Sequence, residues 1–432
     1  LLRRTHYTVD LPSAVGSVVV LAGWVHDVRL IGGLNFIVLR DKEGFAQIVV
    51  RRGSVPEKLM ELVRSLHQED VIVVRGRVVP SREAKQGVEL IPSELEVINR
   101  AASPLPLDPR DVTPASLETR LNWRHMDFRR AESAAIFRIQ TEILRAFREF
   151  CLGEGFIEIQ PPVIIGSASE GGAELFEIPY FDKKAYLAQS PQLYKQLCAI
   201  SFERVFTVVP VFRAEKFEQP THLNEIRQMD VEMAFADDED AMNMLERCFH
   251  HILDHVRKNA ARPLEILGRD LRVPPLPLKR ITYEEALKLL EERGAPLEWG
   301  SDFSKTQEKI LTEAVGQEAF FIKDWPAEAK PFYAMPHEGD PRLVKAYDLL
   351  YNGVELASGT QRIHIPELLE RRLVEKGLNP ESFRFYIDAF RYGAPPHAGW
   401  SIGLERITMT VCGRSNIREA TMFPRDRNRL VP

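Results

Sequence analysis

The sequence predicts an α+β protein in two parts, a five-stranded β-barrel followed by an antiparallel sheet flanked by helices. Three observations carry this. Residues 15–98 hold five short β-rich runs (VVVLAGWVHDV, LNFIVLRD, FAQIVV, DVIVVRGRVV, GVELIP) parted by glycine turns, with one helical stretch from Pro56 to Leu66. The segment AASPLPLDPRDVTP, with Pro104, Pro106, Pro109 and Pro114, then reads as an extended hinge. Further on, RVFTVVPVFRAEKFEQPTHLNEIRQMDVEMAF (Arg204–Phe235) reads as a long hairpin.

The chain of 432 residues is 44% hydrophobic, enough for real cores, and its length suggests about three domains. We divide it into a barrel domain at 1–100, a proline-rich hinge at 101–130, and a larger domain at 131–432 with a helical elaboration around 236–330. The four cysteines, Cys151, Cys198, Cys248 and Cys412, form no CxxC pair. That argues against zinc ribbons and disulfide frameworks and fits a cytoplasmic setting. No apolar run reaches the roughly 20 residues of a membrane span, and Leu1–Asp10 has no signal-peptide architecture. A formal charge of −5 does not by itself announce a nucleic-acid partner. GxGxxG and GxxxxGK[ST] are both absent, which excludes dinucleotide and P-loop chemistry of those types.

Taken in order, five strands and one helix suggest a closed barrel of the oligonucleotide-binding type. Phe36 and Gln47 fall on adjacent strands with Arg29 just upstream. An exposed aromatic beside an arginine and an amide can stack a base and read its edge, whereas a buried Phe36 would be plain core. From Ala131 to Cys151, Ile136, Ile139, Ile143, Phe147 and Phe150 recur at helical spacing, ending at Gly153 and Gly155. The β-run FIEIQPPVII follows, then two polar clusters, SASEGGAELF and LAQSPQLYKQ.

In the hairpin, period-2 counting places Gln228, Asp230 and Glu232 on one face and Met229, Val231, Met233 and Phe235 on the other. A half-buried face bearing Arg213, Glu215 and several carboxylates needs an internal salt-bridge lattice, a metal or a charged ligand. Residues 236–330 read as acidic helices packed around the core. His250, His251 and His255 fall at helical spacing there, but without an acidic or cysteine partner at matching spacing they read as structural. The last third carries KPFYAMP, YDLLYNGVELASGTQRIH and HAGWSIGLERITMTVCG, which put Asp348 and Glu355 on strands and Arg406 at a helix start.

FRAE followed by THLNE resembles the second signature motif of the class II aminoacyl-tRNA synthetases. The long helix with its proline-ended strand resembles the first, which forms the homodimer interface in that family, and GLERI with its helix resembles the third. SASEGGAELF and LAQSPQLYKQ resemble the substrate loop and amino-acid pocket of the aspartyl members, and FPRDRNRL resembles the ending of their archaeal and eukaryotic type. The class I signatures HIGH and KMSKS are absent.

The resemblance implies ATP-dependent activation of L-aspartate, with Mg²⁺, followed by transfer to tRNA(Asp). It assigns Arg213 to bridge the attacking carboxylate and the α-phosphate, and Arg406 to the γ-phosphate. A planar guanidinium suits the first task because it holds two oxygens at once. Glu215, His222, Leu223, Ile226, Glu355 and Gly403 complete the ATP set; Ile226 stands where the family often has a phenylalanine under the adenine. Asp348, Glu355 and Ser358 resemble the Mg²⁺ site. For the amino acid, Lys195 and Arg362 would clasp the side-chain carboxylate, Glu170, Gln192 and Asp230 would face the α-ammonium group, and Ser358 joins Arg213 nearby. Two buried cations reject the near-isosteric asparagine because a neutral amide leaves them unpaired. Asparaginyl relatives lack a lysine at the position of Lys195. An asparaginyl enzyme and a non-catalytic nucleic-acid-binding paralogue are the alternatives, and intact Arg213, Glu355 and Arg406 count against the second.

Arg29, Phe36, Gln47 and Glu89 are the anticodon-contact candidates. Two further barrel positions resemble sites that track whether tRNA(Asn) is charged as well. His26 resembles relaxed enzymes, where strict ones often carry tryptophan. Lys85 resembles strict ones, where relaxed ones tend to have proline. Steric exclusion is the simpler way to reject a near-identical pyrimidine, so the expectation is relaxed recognition of tRNA(Asp) and tRNA(Asn).

Overall fold

Alternating apolar residues build the barrel from β1 (Val18–Ile31), β2 (Leu34–Arg40), β3 (Phe45–Arg51), β4 (Val71–Pro80) and β5 (Val88–Asn99), with α1 (Glu57–Arg64) between β3 and β4. The computed structural model describes residues 3–166, 175–216 and 219–432. Its strands close in the order β1-β2-β3-β5-β4, and β3 with β5 is the parallel pair. Inward residues such as Leu21, Ile37, Ile48, Ile72 and Leu90 form one core, onto which α1 lays Leu59, Met60 and Val63. A bulge between Val25 and Asp27 makes His26 the extra residue of β1.

The barrel belongs to a unit of Leu1–Arg130, separate from a second unit of Ala131–Pro432. Two short helices, α2 (Leu117–Asn122) and α3 (Arg124–Asp127), fall within the stretch read as hinge. Asp127, fully buried, receives Arg120 at 2.8 Å and Arg124 at 2.5 Å and ties these turns together.

The second unit opens with α4 (Ala131–Gly153), β6 (Ile157–Glu158) and a small sheet of β7 (Ile164–Ile165), β8 (Glu177–Tyr180) and β9 (Lys183–Leu187). Next come α5 (Gln192–Phe202), β10 (Arg204–Phe212), β11 (Glu225–Ala234), α6 (Asp238–Asn259), α7 (Ala261–Ile266), β12 (Lys279–Thr282), α8 (Tyr283–Glu292) and α9 (Lys305–Val315). Last are β13 (Ala319–Pro326), β14 (Leu343–Tyr351), β15 (Val354–Arg362), α10 (Pro366–Glu375), α11 (Arg384–Arg391), β16 (His397–Gly403) and α12 (Leu404–Val411). Among the described residues the main sheet has eight strands, ordered β12-β13-β14-β15-β16-β11-β10-β6. It is antiparallel from β13 to β10 and parallel at both edges, β12 with β13 and β10 with β6.

One face of this sheet is apolar. Met229, Val231, Met233, Ala398, Trp400 and Ile402 pack under α4, α6 and α12. Gln228, Asp230 and Glu232 point to the other face, as the alternation requires. Three readings need correction. Phe235 does not continue the core face: β11 ends at Ala234, and Phe235 turns out at φ 55° with 70% of its surface exposed. Residues 236–330 are more than helices packed around the core, because β12 and β13 from this region are strands of the main sheet. Of the histidines of α6, His255 does have acidic partners, Glu142 and Glu149, supplied by α4 about a hundred residues earlier. Among the described residues no helix is long and apolar enough to cross a membrane.

Candidate active site

Strand register alone assembles the polar face. Asp348 on β14 pairs with Ser358 on β15, Ser358 with Ser401 on β16, and Ser401 with Asp230 on β11, so one row of facing residues crosses four strands. The next rows set Thr360 beside Gly399 and Gly399 beside Glu232, then Arg362 beside His397. Directly opposed residues stand about 5 Å apart, close enough for their charges to act on one another.

At one end of these rows the side chains form a buried ion network. Arg362 donates to Glu232 through Nε at 2.9 Å and Nη2 at 3.1 Å, and to Thr360 Oγ1 through Nη1 at 2.8 Å. Lys195, one turn into α5, donates Nζ to Asp230 Oδ1 at 2.7 Å and stands 3.5 Å from Glu232 Oε2. Ser401 Oγ donates to Asp230 Oδ2 at 3.1 Å. All four charged groups are at most 3% exposed. Burial works against the Glu232 carboxylate, but Arg362 and Lys195 outweigh it and hold its pKa below the ordinary value. Arg362 is likewise opposed by burial, and the Glu232 charge raises its pKa.

Gly399 makes room for this network. A Cβ there would lie 2.2 Å from the Val231 carbonyl oxygen and 2.3 Å from Glu232 Oε2. Gln192 lies one turn away on α5, donating Nε2 to Gln196 Oε1 at 2.7 Å; Tyr386 OH donates to the same oxygen at 2.9 Å.

Beside the network opens a cleft of about 330 Å³ lined by Arg213, Glu215, His222, Leu223, Ile226, Glu355, Ser358, Gly403 and Arg406. Every residue assigned to ATP by resemblance is therefore on one surface. A larger, more apolar cleft of about 980 Å³ adjoins it and shares Thr221, but it holds none of those residues. Asn224 shapes the smaller cleft by donating Nδ2 to the carbonyls of Arg213 at 2.7 Å and Glu215 at 3.3 Å, which pins the two arms of the hairpin loop.

A bulge at Leu356, where Leu349 pairs with Ala357 but Leu350 with Glu355, re-aims β15 into the cleft. Arg406 Nη1 there reaches the Glu355 carbonyl at 3.1 Å and its carboxylate at 3.4 Å. Burial raises the Glu355 pKa, yet Arg406, Lys330, Lys305 and Arg213 together bring it below the ordinary value. Asp348 is pushed up to about 6, by burial first and the Glu355 charge next, against the pull of Lys330, whose Nζ donates to Oδ2 at 2.7 Å. His222 falls to about 4 through burial and the Arg406, Lys305 and Arg213 charges, so it is neutral near pH 7.

A buried ion network joined to a cleft that presents Arg213 and Arg406 can receive a small zwitterion and a polyphosphate side by side. The profile of class II tRNA synthetases (D, K and N) matches residues 116–427, and that of OB-fold nucleic acid binding domains matches residues 19–98. The chain belongs to the class II aminoacyl-tRNA synthetases. It is 47% identical to an aspartate–tRNA(Asp/Asn) ligase of Methanocaldococcus jannaschii, over 100% of this chain and 98% of the relative. It is also 47% identical to an aspartate–tRNA(Asp) ligase of Pyrococcus abyssi, over 99% of this chain and 100% of the relative. The crystal structure of asparaginyl-tRNA synthetase from Pyrococcus horikoshii complexed with asparaginyl-adenylate superposes with a TM-score of 0.95 at 34% identity, covering 100% of both chains.

The protein is thus an aminoacyl-tRNA ligase of a family that uses ATP, with a tRNA-binding OB fold. On the barrel of this synthetase, Arg29 pairs with Phe36, Phe36 with Val49, and Val38 with Gln47, so Arg29, Phe36 and Gln47 share the outer face. Phe36 is half-buried there and absent from the barrel core, which answers the plain-core reading. Gln47 Nε2 approaches Glu89 Oε2 at 3.5 Å. His26 sits between Phe45, 4.7 Å between ring centroids, and Arg40, 3.2 Å from its Nδ1, while Lys85 is exposed on the turn between β4 and β5. Glu170 lies outside the described residues.

Several site residues were not singled out in the sequence. Glu232 had a face but no role, although its position between two cation-bearing elements makes it the centre of the network. Asp302 stood in no motif, and Lys330 in KPFYAMP and Asn224 in THLNE were given no role of their own. Glu405, inside GLERI, lines the cleft and accepts the Arg227 backbone N–H at 3.0 and 3.2 Å; burial pushes its pKa up to about 7.

Proposed function

We propose that this synthetase activates L-aspartate with ATP and transfers it to tRNA(Asp) and to tRNA(Asn). The observation that carries the amino-acid assignment is the pair of buried cations, Lys195 and Arg362, at the end of the ATP cleft. Of three ammonium protons and five guanidinium N–H groups, Asp230, Glu232 and Thr360 engage only some, so donors remain for one more carboxylate. An asparagine amide brings no negative charge to them and presents its own N–H groups, a mismatch that a dry site penalises heavily.

Activation needs no protein nucleophile, since the substrate α-carboxylate attacks the α-phosphate. Arg213 in the cleft holds both groups, and Arg406, aligned by Glu355, takes the γ-phosphate as charge moves onto the leaving pyrophosphate. Neutral His222 and Glu215 flank the base, with Ile226 as an apolar platform. Asp348, Glu355 and Ser358 offer the hard oxygen donors that Mg²⁺ prefers, and Asp348 Oδ1 is buried without a hydrogen-bond partner among the described residues, so the set fits the ion. When bound, Mg²⁺ would neutralise phosphate charge. The exposed apolar residues Leu152, Ile157 and Ile164, at the end of α4 and just after it, support a homodimer through this segment.

For the tRNA, the smaller ring of His26 at the bulge leaves space that a tryptophan would fill. Relatives at equal identity carry both specificities in their names, so the barrel and not overall likeness must decide. Aminoacylation of both tRNA transcripts at matched salt tests the proposal. Comparable kcat/KM on the two supports it, and a preference for tRNA(Asp) beyond about a hundredfold, roughly 2.7 kcal/mol, overturns the relaxed reading.

A further inference from the structure

We propose that His251 and His255 on α6 and Glu149 on α4 form a binding site for a zinc-class divalent ion, which clamps α4 to α6 on the side of the sheet away from the amino-acid pocket. One ligand atom from each of the three lies within 4.8 Å of the others. Four residues apart, the two histidines share one side of α6. Both helices pack on the apolar face with Met229, Val231 and Trp400, whereas Asp230 and Glu232 open on the opposite face.

The hydrogen bonds around the cluster prepare it for a cation. His255 Nε2 and Glu142 Oε2 are 2.8 Å apart, so the ring donates Nε2–H to that carboxylate and keeps a lone pair on Nδ1. Nδ1 faces Glu149 Oε2 at 3.7 Å. Two acceptors turned toward each other repel unless a positive centre lies between them. A carboxylate behind a histidine that presents its other nitrogen is the arrangement that orients metal-ligating imidazoles and raises their basicity.

An imidazolium shared between Glu142 and Glu149 would account for His255 alone. It leaves His251 Nε2, which is buried and without a hydrogen-bond partner among the described residues, unexplained. Burial and the neighbouring His255 lower the pKa of His251, so at neutral pH its ring offers a lone pair. Two imidazoles and one carboxylate suit zinc and its neighbours better than magnesium. Tetrahedral zinc needs donors about 3.3 Å apart, given bonds near 2.0 Å. The spacings of up to 4.8 Å in the cluster close by about 1.5 Å or less when an ion binds, through rotation of the His251 and His255 rings and of the exposed Glu149 side chain.

The test uses the full-length protein, stripped with a chelator and then titrated with zinc, with magnesium in excess to occupy hard oxygen sites. Zinc per chain is measured by equilibrium dialysis, and the visible absorption of the cobalt(II) form reports the geometry. The expected result is one tightly held zinc per wild-type chain, a tetrahedral cobalt spectrum, and loss of both in His251→Ala. Glu142→Gln, which reaches the cluster only through the far nitrogen of His255, should weaken binding by about 10- to 100-fold. Glu149→Gln changes an exposed residue, so it keeps the test valid should His251→Ala fail to fold; it too should lose the spectrum. Equal zinc uptake by wild type and these variants, or no uptake by wild type at micromolar zinc, overturns the proposal.

Discussion

Glu232→Gln removes one negative charge from the centre of the ion network while keeping its shape. In the wild type, Glu232 is fully buried and meets Arg362 at 2.9 and 3.1 Å and Lys195 at 3.5 Å. At an effective dielectric of 20, a pair near 4 Å is worth about 4 kcal/mol, so two such pairs offset the several kcal/mol that burying a carboxylate costs. After the substitution, two buried cations share Asp230 alone. Breaking a buried pair from one side typically costs about 3–5 kcal/mol, which lowers the melting temperature of a domain this large by about 5–8 °C.

The sign with pH follows from the depressed pKa of Glu232. Its stabilisation is present above the unfolded-state value, about 4.3, and is lost as pH falls through the lower folded value. Thermal unfolding of both proteins from pH 7 downward should show a gap that narrows below about pH 4.3. A gap under about 2 °C at pH 7, or one that stays constant into acid, would refute the reasoning.

Glu405→Gln should behave in the opposite sense. The folded pKa of Glu405 is raised to about 7, so its contribution is fully present below the unfolded value and lost as pH rises to 7; the variant should gain stability relative to wild type over that interval, read from melting curves. Phe36→Ala should remove a stacking partner worth about 1–3 kcal/mol, raising KM for tRNA about 5- to 150-fold. Amino-acid-dependent ATP–pyrophosphate exchange should be unchanged by it, and an equal loss of exchange would mean that Phe36 matters for folding instead.

The row Asp348, Ser358, Ser401, Asp230 shows how much of the site was legible in the sequence and where legibility stopped. Alternation along β11 put Asp230 and Glu232 on one face because pleating has a period of two. It could not say that Glu232 would lie between Lys195 and Arg362, since that needs the register of three strands and the placement of α5. Phe235 shows the same limit, as the pattern runs one residue past a strand that ends at Ala234. The cleft residues were found because their motifs resemble a family. Lys330 and Asn224 stand inside quoted stretches, KPFYAMP and THLNE, but their roles were not legible, because one neutralises Asp348 and the other pins a loop through tertiary contacts that leave no spacing behind. For His251 and His255, the missing acidic partners sit on α4 and only tertiary packing brings them near.

ATP–pyrophosphate exchange by the wild-type protein, run with aspartate and with asparagine as the only amino acid, tests the central claim most directly. The buried Lys195–Arg362 pair predicts exchange with aspartate and a kcat/KM at least about a hundredfold lower with asparagine, the loss expected from leaving buried donors unmatched. Exchange with asparagine equal to or faster than with aspartate would contradict it.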